Sequence, residues 1–317
     1  MAHKPEDVRN AALVGAGGAG KTTLIESLLH LTKDTKRKGS IAEKNTVCDW
    51  DDDEKERQHT ILATPARVHW ENKHVNLIDT PGALDFIGEP LAALAAVEMA
   101  VVCVNAHDGV GVATRKLFRA ARDMGMPVCI AVTRIESENV DGDALLDSIQ
   151  EAFGERAVPL NLPDAFGPGA KEVIDVFGND APEHLAEKVA HYRTQATERV
   201  VEVDEELTMK YLDEGDVTQA ELEGAFPRAL RAGNIVPVLH VSAELGVGMR
   251  KFLTFLVHDS PAPKPHVLRK AVDDEGEAVE LDADGPFSAQ VWKIQVDPHV
   301  GKLAYLRVWT GSLGSKT

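Results

Sequence analysis

Apolar positions recur along this chain in two rhythms, short β-branched runs and stretches of helical spacing. Residues 11–14 are an apolar run, and Leu24, Ile25, Leu28 and Leu29 follow at helical spacing, which predicts a strand and then a helix from Lys21 to about Leu31. Residues 67–70 and 74–78 flank the polar turn Glu71-Asn72-Lys73 and read as a hairpin whose second strand ends at Asp79. Residues 92–96 lead helically into a β-branched strand at 99–104. A helix at 113–124, with Leu117, Ala121 and Met124 on one face, precedes a buried strand at 128–133 and a helix at 143–153. This alternation predicts a mixed, mostly parallel α/β sheet with helices on both faces.

The rhythm changes beyond residue 155. Residues 157–162 and 173–177 read as short strands around the turn Phe166-Gly167-Pro168-Gly169. Two or three helices follow between about 183 and 231, one opening on the capping box Thr218-x-x-Glu221. The region about 155–235 is therefore expected to be an α+β insertion, because the α/β pattern resumes with a strand at 236–241 and a helix at 247–257. Pro261-Ala262-Pro263-Lys264-Pro265 is a stiff linker by composition, and residues 271–285 are acidic. Residues 287–296 and 303–309 alternate as two further strands. Two strands do not make a stable domain, so the expectation is the N-terminal part of a longer protein.

Composition narrows the function classes. The 317 residues suffice for one large or two ordinary domains. With 34 basic and 51 acidic residues the net charge is −17, which disfavours non-specific nucleic-acid binding, since counterion release requires surface Lys and Arg. Aromatic residues make up 5%, too few to suggest a base-stacking platform. Cys48, Cys103 and Cys129 have no metal-binding spacing, and the last two lie in apolar runs as small core residues of a reducing compartment. No apolar stretch reaches membrane-spanning length and the polar first ten residues are unlike a signal peptide, so a cytoplasmic location is expected.

The chemistry is concentrated in Gly15-Ala16-Gly17-Gly18-Ala19-Gly20-Lys21-Thr22, which fits G-x-x-x-x-G-K-[ST] between a strand and a helix. Glycines let the backbone wrap phosphates with inward N–H groups, and the helix aims its positive end at the anion. Lys21 can reach the β- and γ-phosphates, the Thr22 hydroxyl can ligate Mg²⁺, and Thr23 follows in the first helical turn. Asp79-Thr80-Pro81-Gly82 follows a buried strand, where the Asp can orient the metal shell and the Gly82 N–H can sense a γ-phosphate. Thr60 closes the long polar stretch 33–58 and can shut over the γ-phosphate, making the stretch a switch ordered by triphosphate. That stretch is either disordered or a functional loop. Its acid run, Asp49 and Asp51 to Asp53, reads as a solvated surface.

These strings resemble a known family. Asp79-Thr80-Pro81-Gly82-Ala83-Leu84-Asp85-Phe86 resembles the D-T-P-G-H-V-D-F of translational GTPases, and Asp49-Trp50 with Glu56-Arg57-Gln58-His59-Thr60-Ile61 resembles the D-F/W and E-R-G-I-T-I strings of elongation factor G. Ser242-Ala243 matches its guanine-contacting loop, Asp204-Glu205-Glu206-Leu207 and Lys210-Tyr211-Leu212 its extra subdomain, and Val300-Gly301-Lys302-Leu303 with Arg307-Val308-Trp309-Thr310-Gly311 the start of its second-domain β-barrel. The resemblance covers nearly the whole chain. It implies a GTP-binding domain at 1–260, a linker at 261–285 and the first strands of a truncated β-barrel domain at 286–317. It further implies GTP and GDP as ligands, Mg²⁺ held by Thr22, Thr60 and Asp79, and the ribosome as partner, with no membrane and no sequence-specific nucleic-acid contact by this fragment. A monomer is expected.

The departures from the family pattern are as informative. The family reads A-H-I-D-A-G-K-T in its phosphate loop, and here Gly18 replaces the Asp associated with a monovalent cation. Gly17 and His59 replace the two walls of the apolar gate around the attacking water, and Ala83 replaces the catalytic His. Of the catalytic set this leaves Lys21, Thr60 and Gly82, so hydrolysis is expected to be slow. His59 is either a substitute imidazole or an ordinary surface histidine. The family's N-K-x-D becomes Thr133-Arg134-Ile135-Glu136: Thr133 lacks the amide that braces the phosphate loop, Arg134 can cover a base plane, and the extra methylene of Glu136 displaces its carboxylate by about 1.5 Å. Guanine preference is expected to be weakened. Two other readings remain open, a GTP-dependent ribosome-associated module that scarcely hydrolyses, and a P-loop ATPase or kinase outside translation.

Overall fold

The computed structural model describes residues 4–263, 271–279, 282, 284–297 and 300–314. Strand β1 (Val8–Val14) leads into helix α1 (Lys21–Leu31), and a short helix α2 (Asp52–Arg57) lies within the long polar stretch. Strands β2 (Thr64–Trp70) and β3 (Lys73–Asp79) form the expected hairpin, followed by helix α3 (Gly88–Leu94), strand β4 (Met99–Asn105), helix α4 (Val112–Asp123), strand β5 (Val128–Thr133) and helix α5 (Gly142–Phe153). Short strands β6 (Ala157–Pro159), β7 (Asn161–Pro163) and β8 (Val173–Asp175) precede helices α6 (Ala186–Val201), α7 (Glu205–Glu214) and α8 (Gln219–Ala232). Strand β9 (Val236–His240) and helix α9 (Met249–His258) complete the α/β pattern.

Seven strands make one sheet in the order β2-β3-β1-β4-β5-β9-β6, parallel throughout except for β2. Burial follows from position. The inner strands β4 and β5 are buried at every residue, as their unbroken β-branched runs require, whereas the edge strand β2 alternates buried and exposed. One apolar core lies under α1, α8 and α9, and a second lies under α3, α4 and α5 on the opposite face. Cys103 and Cys129 are buried in the sheet as expected, and Cys48 is buried as well; all three are free thiols.

One expectation is revised. Residues 157–159 were expected to belong to the insertion, but β6 pairs in parallel with β9 and extends the central sheet. The insertion proper consists of the antiparallel β7–β8 pair and α6 to α8, with Ala196 and Val200 of α6 and Ala225 and Ala229 of α8 buried in its packing. The acidic stretch read as part of the linker carries a two-residue antiparallel ladder, β10 (Ala271–Val272) with β11 (Ala278–Val279). Lys264 and Pro265, also assigned to the linker, lie outside the described residues. Strands β12 (Ser288–Asp297) and β13 (Gly301–Thr310) form a long antiparallel hairpin that packs on α3 and fits the start of a barrel. No helix among the described residues is long and apolar enough to cross a membrane.

Candidate nucleotide-binding site

Sheet register brings the functional loops to one edge. Leu13 lies opposite Asp79, Asn105 opposite Thr133, and Val132 opposite His240, so the loops after β1, β3, β4, β5 and β9 emerge side by side at the carboxyl ends of the strands. Open α/β sheets bind ligands at this edge. Gly15 has φ 140°, and a Cβ there would lie 2.5 Å from the Cys103 carbonyl oxygen, so only glycine lets the loop leave β1 against β4.

Lys21 is 6% exposed and its Nζ donates to the carbonyl oxygens of Gly15 at 3.0 Å and Ala16 at 2.8 Å. Burial lowers its pKa, while the Asp79 charge opposes that shift. The Ala16 N–H donates to Thr114 Oγ1 at 3.2 Å. The Thr22 hydroxyl donates to Asp79 Oδ2 at 2.6 Å and lies 3.1 Å from Thr60 Oγ1, which donates to Asp49 Oδ1 at 2.8 Å. Four side chains from α1, β3 and the switch stretch thus form one continuous chain of oxygen atoms. Burial pushes the fully buried Asp79 carboxyl up to about 7, against the Thr22 hydrogen bond and the Lys21 charge that pull it down. Burial likewise raises Asp49, whose Oδ2 is buried without a hydrogen-bond partner. Two hydroxyls and two carboxylates, one with an orphaned oxygen, are hard donors of the kind Mg²⁺ takes, with water filling its remaining positions.

The acid run is not the solvated surface expected from sequence. Asp49 is 4% exposed and joins the site, and Asp51 caps α2 in a reciprocal box with Glu54. Only Asp52 and Asp53 are exposed. The whole stretch is built around two buried carboxylates: Glu26 Oε1 accepts the N–H groups of Val47 at 2.6 Å and Cys48 at 3.3 Å, and Glu54 Oε1 accepts those of Ile61 at 2.9 Å and Leu62 at 3.0 Å. Thr80, expected among the nucleotide contacts, spends its hydroxyl on the Leu13 carbonyl at 2.6 Å, and Pro81 beside it is buried. Gly82 lies against the phosphate loop, whereas Ala83 and His59 are exposed.

At the end of β5, Thr133 does brace the phosphate loop, by a hydroxyl in place of an amide: its Oγ1 donates to Ala19 O at 2.9 Å and lies 3.2 Å from Val104 O. Gly18 O and Asp108 receive the Asn105 side-chain amide, at 3.5 Å and 2.6 Å. Arg134 is exposed in the left-handed region at φ 56°, and Glu136 Oε2 is buried without a partner. Ser242 Oγ accepts the Leu245 N–H at 2.9 Å, and the Ala243 carbonyl accepts Ser27 Oγ at 3.1 Å. Between these groups lies a cleft of ≈ 580 Å³ with Gly20, Thr23, Thr133, Arg134 and Glu136 on one side and residues 38–43 on the other. A larger cavity of ≈ 700 Å³ between the insertion and α9 touches neither the phosphate loop nor residues 133–136 and 242–243, so chemistry and not size marks the site. Asp49, Glu26, Glu54 and Asn105 were not singled out from sequence as site residues; a carboxylate inside the apolar spacing of α1 was the available signal for Glu26.

A glycine-wrapped phosphate loop, a lysine inside it and a strand-terminal aspartate define a P-loop nucleotide-binding domain of the doubly covered α/β type. Residues 6–262 match the Elongation factor Tu GTP binding domain, and the chain belongs to that family. It is 31% identical to the Elongation factor G-like protein of Mycobacterium tuberculosis over 334 aligned positions, covering 100% of this chain and 46% of that protein. A crystal structure from Thermus thermophilus matches with TM-score 0.85 and 34% identity, over 96% of this chain and 46% of the other. The chain therefore spans about half the length of these relatives. The resemblance to a divergent elongation-factor-G-like chain holds across its full length.

Proposed function

We propose that this chain binds GTP and GDP with Mg²⁺, acts on the ribosome as a nucleotide-dependent switch of the elongation factor G type, and hydrolyses GTP slowly. The observation that carries the reading is the chain of contacts from Asp49 through Thr60 and Thr22 to Asp79, which joins the switch stretch to the phosphate-loop helix. In this reading the backbone from Gly15 to Thr22 and the Lys21 ammonium hold the phosphates, and Gly82 meets the γ-phosphate. Thr22, Thr60 and Asp79 hold the metal with Asp49 behind Thr60. Bound Mg²⁺ supplies charge neutralisation at the β- and γ-phosphate oxygens. Glu136, with its unpartnered Oε2, accepts from the base beside Arg134, Ser242 and Ala243. The GTP-binding domain at 1–260, the linker at 261–285, the barrel start at 286–317, a cytoplasmic location and a monomeric state belong to the same reading.

Calorimetric titration of GTP, GDP and ATP with and without magnesium tests it. Guanine nucleotides binding more tightly than ATP, with magnesium strengthening the triphosphate, are expected; ATP binding as tightly as GTP would sink the guanine assignment. A second reading, a ribosome-associated module that does not hydrolyse, is favoured by exposed Ala83, which has no group to orient water. Ribosome-stimulated phosphate release decides between them. Restoring the imidazole in Ala83→His is expected to raise the rate by about 100-fold, the low end for a positioned acid–base group. Fast release by the wild type would instead mean that other groups catalyse the reaction.

A further inference from the structure

The switch stretch reaches the base loop directly. Lys38 Nζ donates to the Ala243 carbonyl oxygen at 2.7 Å and to Glu244 Oε2 at 3.2 Å. The Lys38 side chain is 26% exposed, so this contact is partly shielded from water. Residues 38–43, which follow from it, form one wall of the cleft whose other wall carries Thr133, Arg134 and Glu136. The far part of the same stretch is fixed at Glu26 through Val47 and Cys48, and at Asp49 through Thr60. Here a single segment spans the site from its metal end to its base end.

We propose that Lys38 is the positioning residue that latches this segment over the base and ribose of a bound nucleoside triphosphate, so that release requires its bond to Ala243 and Glu244 to break. The proposal rests on the nucleotide-binding reading above. With a triphosphate, Thr60 anchors one end of the segment and Lys38 the other, and the cleft is closed along its length. With a diphosphate the Thr60 anchor loses its ligand, the segment opens from its metal end, and the Lys38 bond no longer limits release. Lys38 lines the cleft, but the base loop does not depend on it for its own bonds. When it is removed, the Ala243 carbonyl still accepts Ser27 Oγ at 3.1 Å, and Glu244 is an exposed carboxylate that water can solvate.

The test is stopped-flow dissociation of fluorescent N-methylanthraniloyl nucleotides, a non-hydrolysable GTP analogue and GDP, chased with unlabelled GTP. Lys38→Ala is expected to speed release of the triphosphate analogue about tenfold and of GDP less than about threefold, tenfold corresponding to ~1.4 kcal/mol in the barrier. Lys38→Arg, which keeps a cationic donor, is expected to retain slow release. Glu244→Gln is expected to give a partial acceleration that high salt reproduces in the wild type. Lys36→Ala, at an exposed neighbour, controls for general loss of lysine charge. Unchanged triphosphate release in Lys38→Ala, an Arg variant as fast as the Ala variant, or equal acceleration by Lys36→Ala would each overturn the latch while leaving nucleotide binding standing. A wild-type chain that retains no nucleotide would overturn the nucleotide-binding reading and the latch with it.

Discussion

A β-carbon on Gly82 would lie 2.3 Å from the amide nitrogen of Gly17 and 2.4 Å from the carbonyl carbon of Ala16. Both are backbone atoms of the phosphate loop, with no flexible end to give way. Gly82→Ala therefore has to push the D-T-P-G turn off that loop, and overpacking of this kind costs about 1–3 kcal/mol. The turn is assigned to the γ-phosphate, so the cost is expected to fall on GTP: affinity lowered about tenfold or more, with GDP changed less than about threefold, read by calorimetry. Equal losses for both nucleotides would place Gly82 outside γ-phosphate sensing. A second single-residue effect is set by His240. Its ring is fully buried, its Nδ1 lies 2.7 Å from the Asn161 carbonyl oxygen, and burial lowers its pKa from 6.5 to about 4. Below pH 6.5 the unfolded imidazole takes up a proton while the folded one stays neutral until about pH 4. The stabilisation is full above pH 6.5 and is lost as pH falls toward 4, up to about 3 kcal/mol. Urea unfolding across this window is expected to show a steeper acid loss in the wild type than in His240→Gln, and identical slopes would refute the assignment.

At the scale of elements, the switch stretch owes its order to carboxylates in unexpected places. Glu26 is fully buried on α1, and burial raises its pKa while the Val47 and Cys48 N–H groups pull it back. Glu26→Ala leaves two N–H groups without their acceptor, at a cost of about 1–3 kcal/mol. Faster amide exchange at Val47 and Cys48, with little change in the central sheet, is the expected result, and Glu26→Gln, which keeps a carbonyl acceptor, is expected to protect both. If Glu26→Ala left those two amides as slow as in the wild type, Glu26 would not be what holds the stretch. These contacts explain what was legible beforehand. The strand and helix pattern and the phosphate loop depend on short-range periodicity and on residue types with one conformational use, so β1, α1, β4 and β5 were readable to within a few residues. The acid run was misread because composition cannot distinguish Asp49, turned inward onto Thr60, from Asp52 and Asp53, turned outward. The boundary of the insertion was misplaced because pairing of a three-residue strand with β9 is a long-range event that no local pattern encodes. Thr133 was read by the amide it lacks, whereas its hydroxyl reaches the same loop.

Across the whole molecule, the β12–β13 hairpin is held to the segments just before β2 and β4 by the cations Lys293 and Arg307. Lys293, 7% exposed, donates to the Ala63 carbonyl, and the Ala63 N–H donates to Glu89 Oε2 at 2.7 Å, so the hairpin grips the segment three residues beyond Thr60. Arg307 pairs with Glu98 and donates to the Ala96 carbonyl at 3.0 Å. The Glu98 side chain is 1% exposed and that of Arg307 12%, and Asn10 Nδ2 donates to Glu98 Oε2 at 2.7 Å. A pair this deep gains little over an apolar replacement, but removing one partner strands the other. Arg307→Ala is therefore expected to cost about 3–5 kcal/mol in urea unfolding, because Glu98 keeps only the Asn10 amide against its charge. Arg307 also stacks on Trp309 with its guanidinium carbon 4.7 Å from the ring centroid, so part of any loss is packing. Glu98→Gln separates the two, since it removes the buried charge and leaves the stacking intact. In the Glu98→Gln background Arg307→Ala is expected to cost about 1 kcal/mol, the scale of the stacking alone. Equal costs in both backgrounds would mean that the hairpin is held by apolar contact with α3 and that the ion pair contributes no coupling between the hairpin and the central sheet.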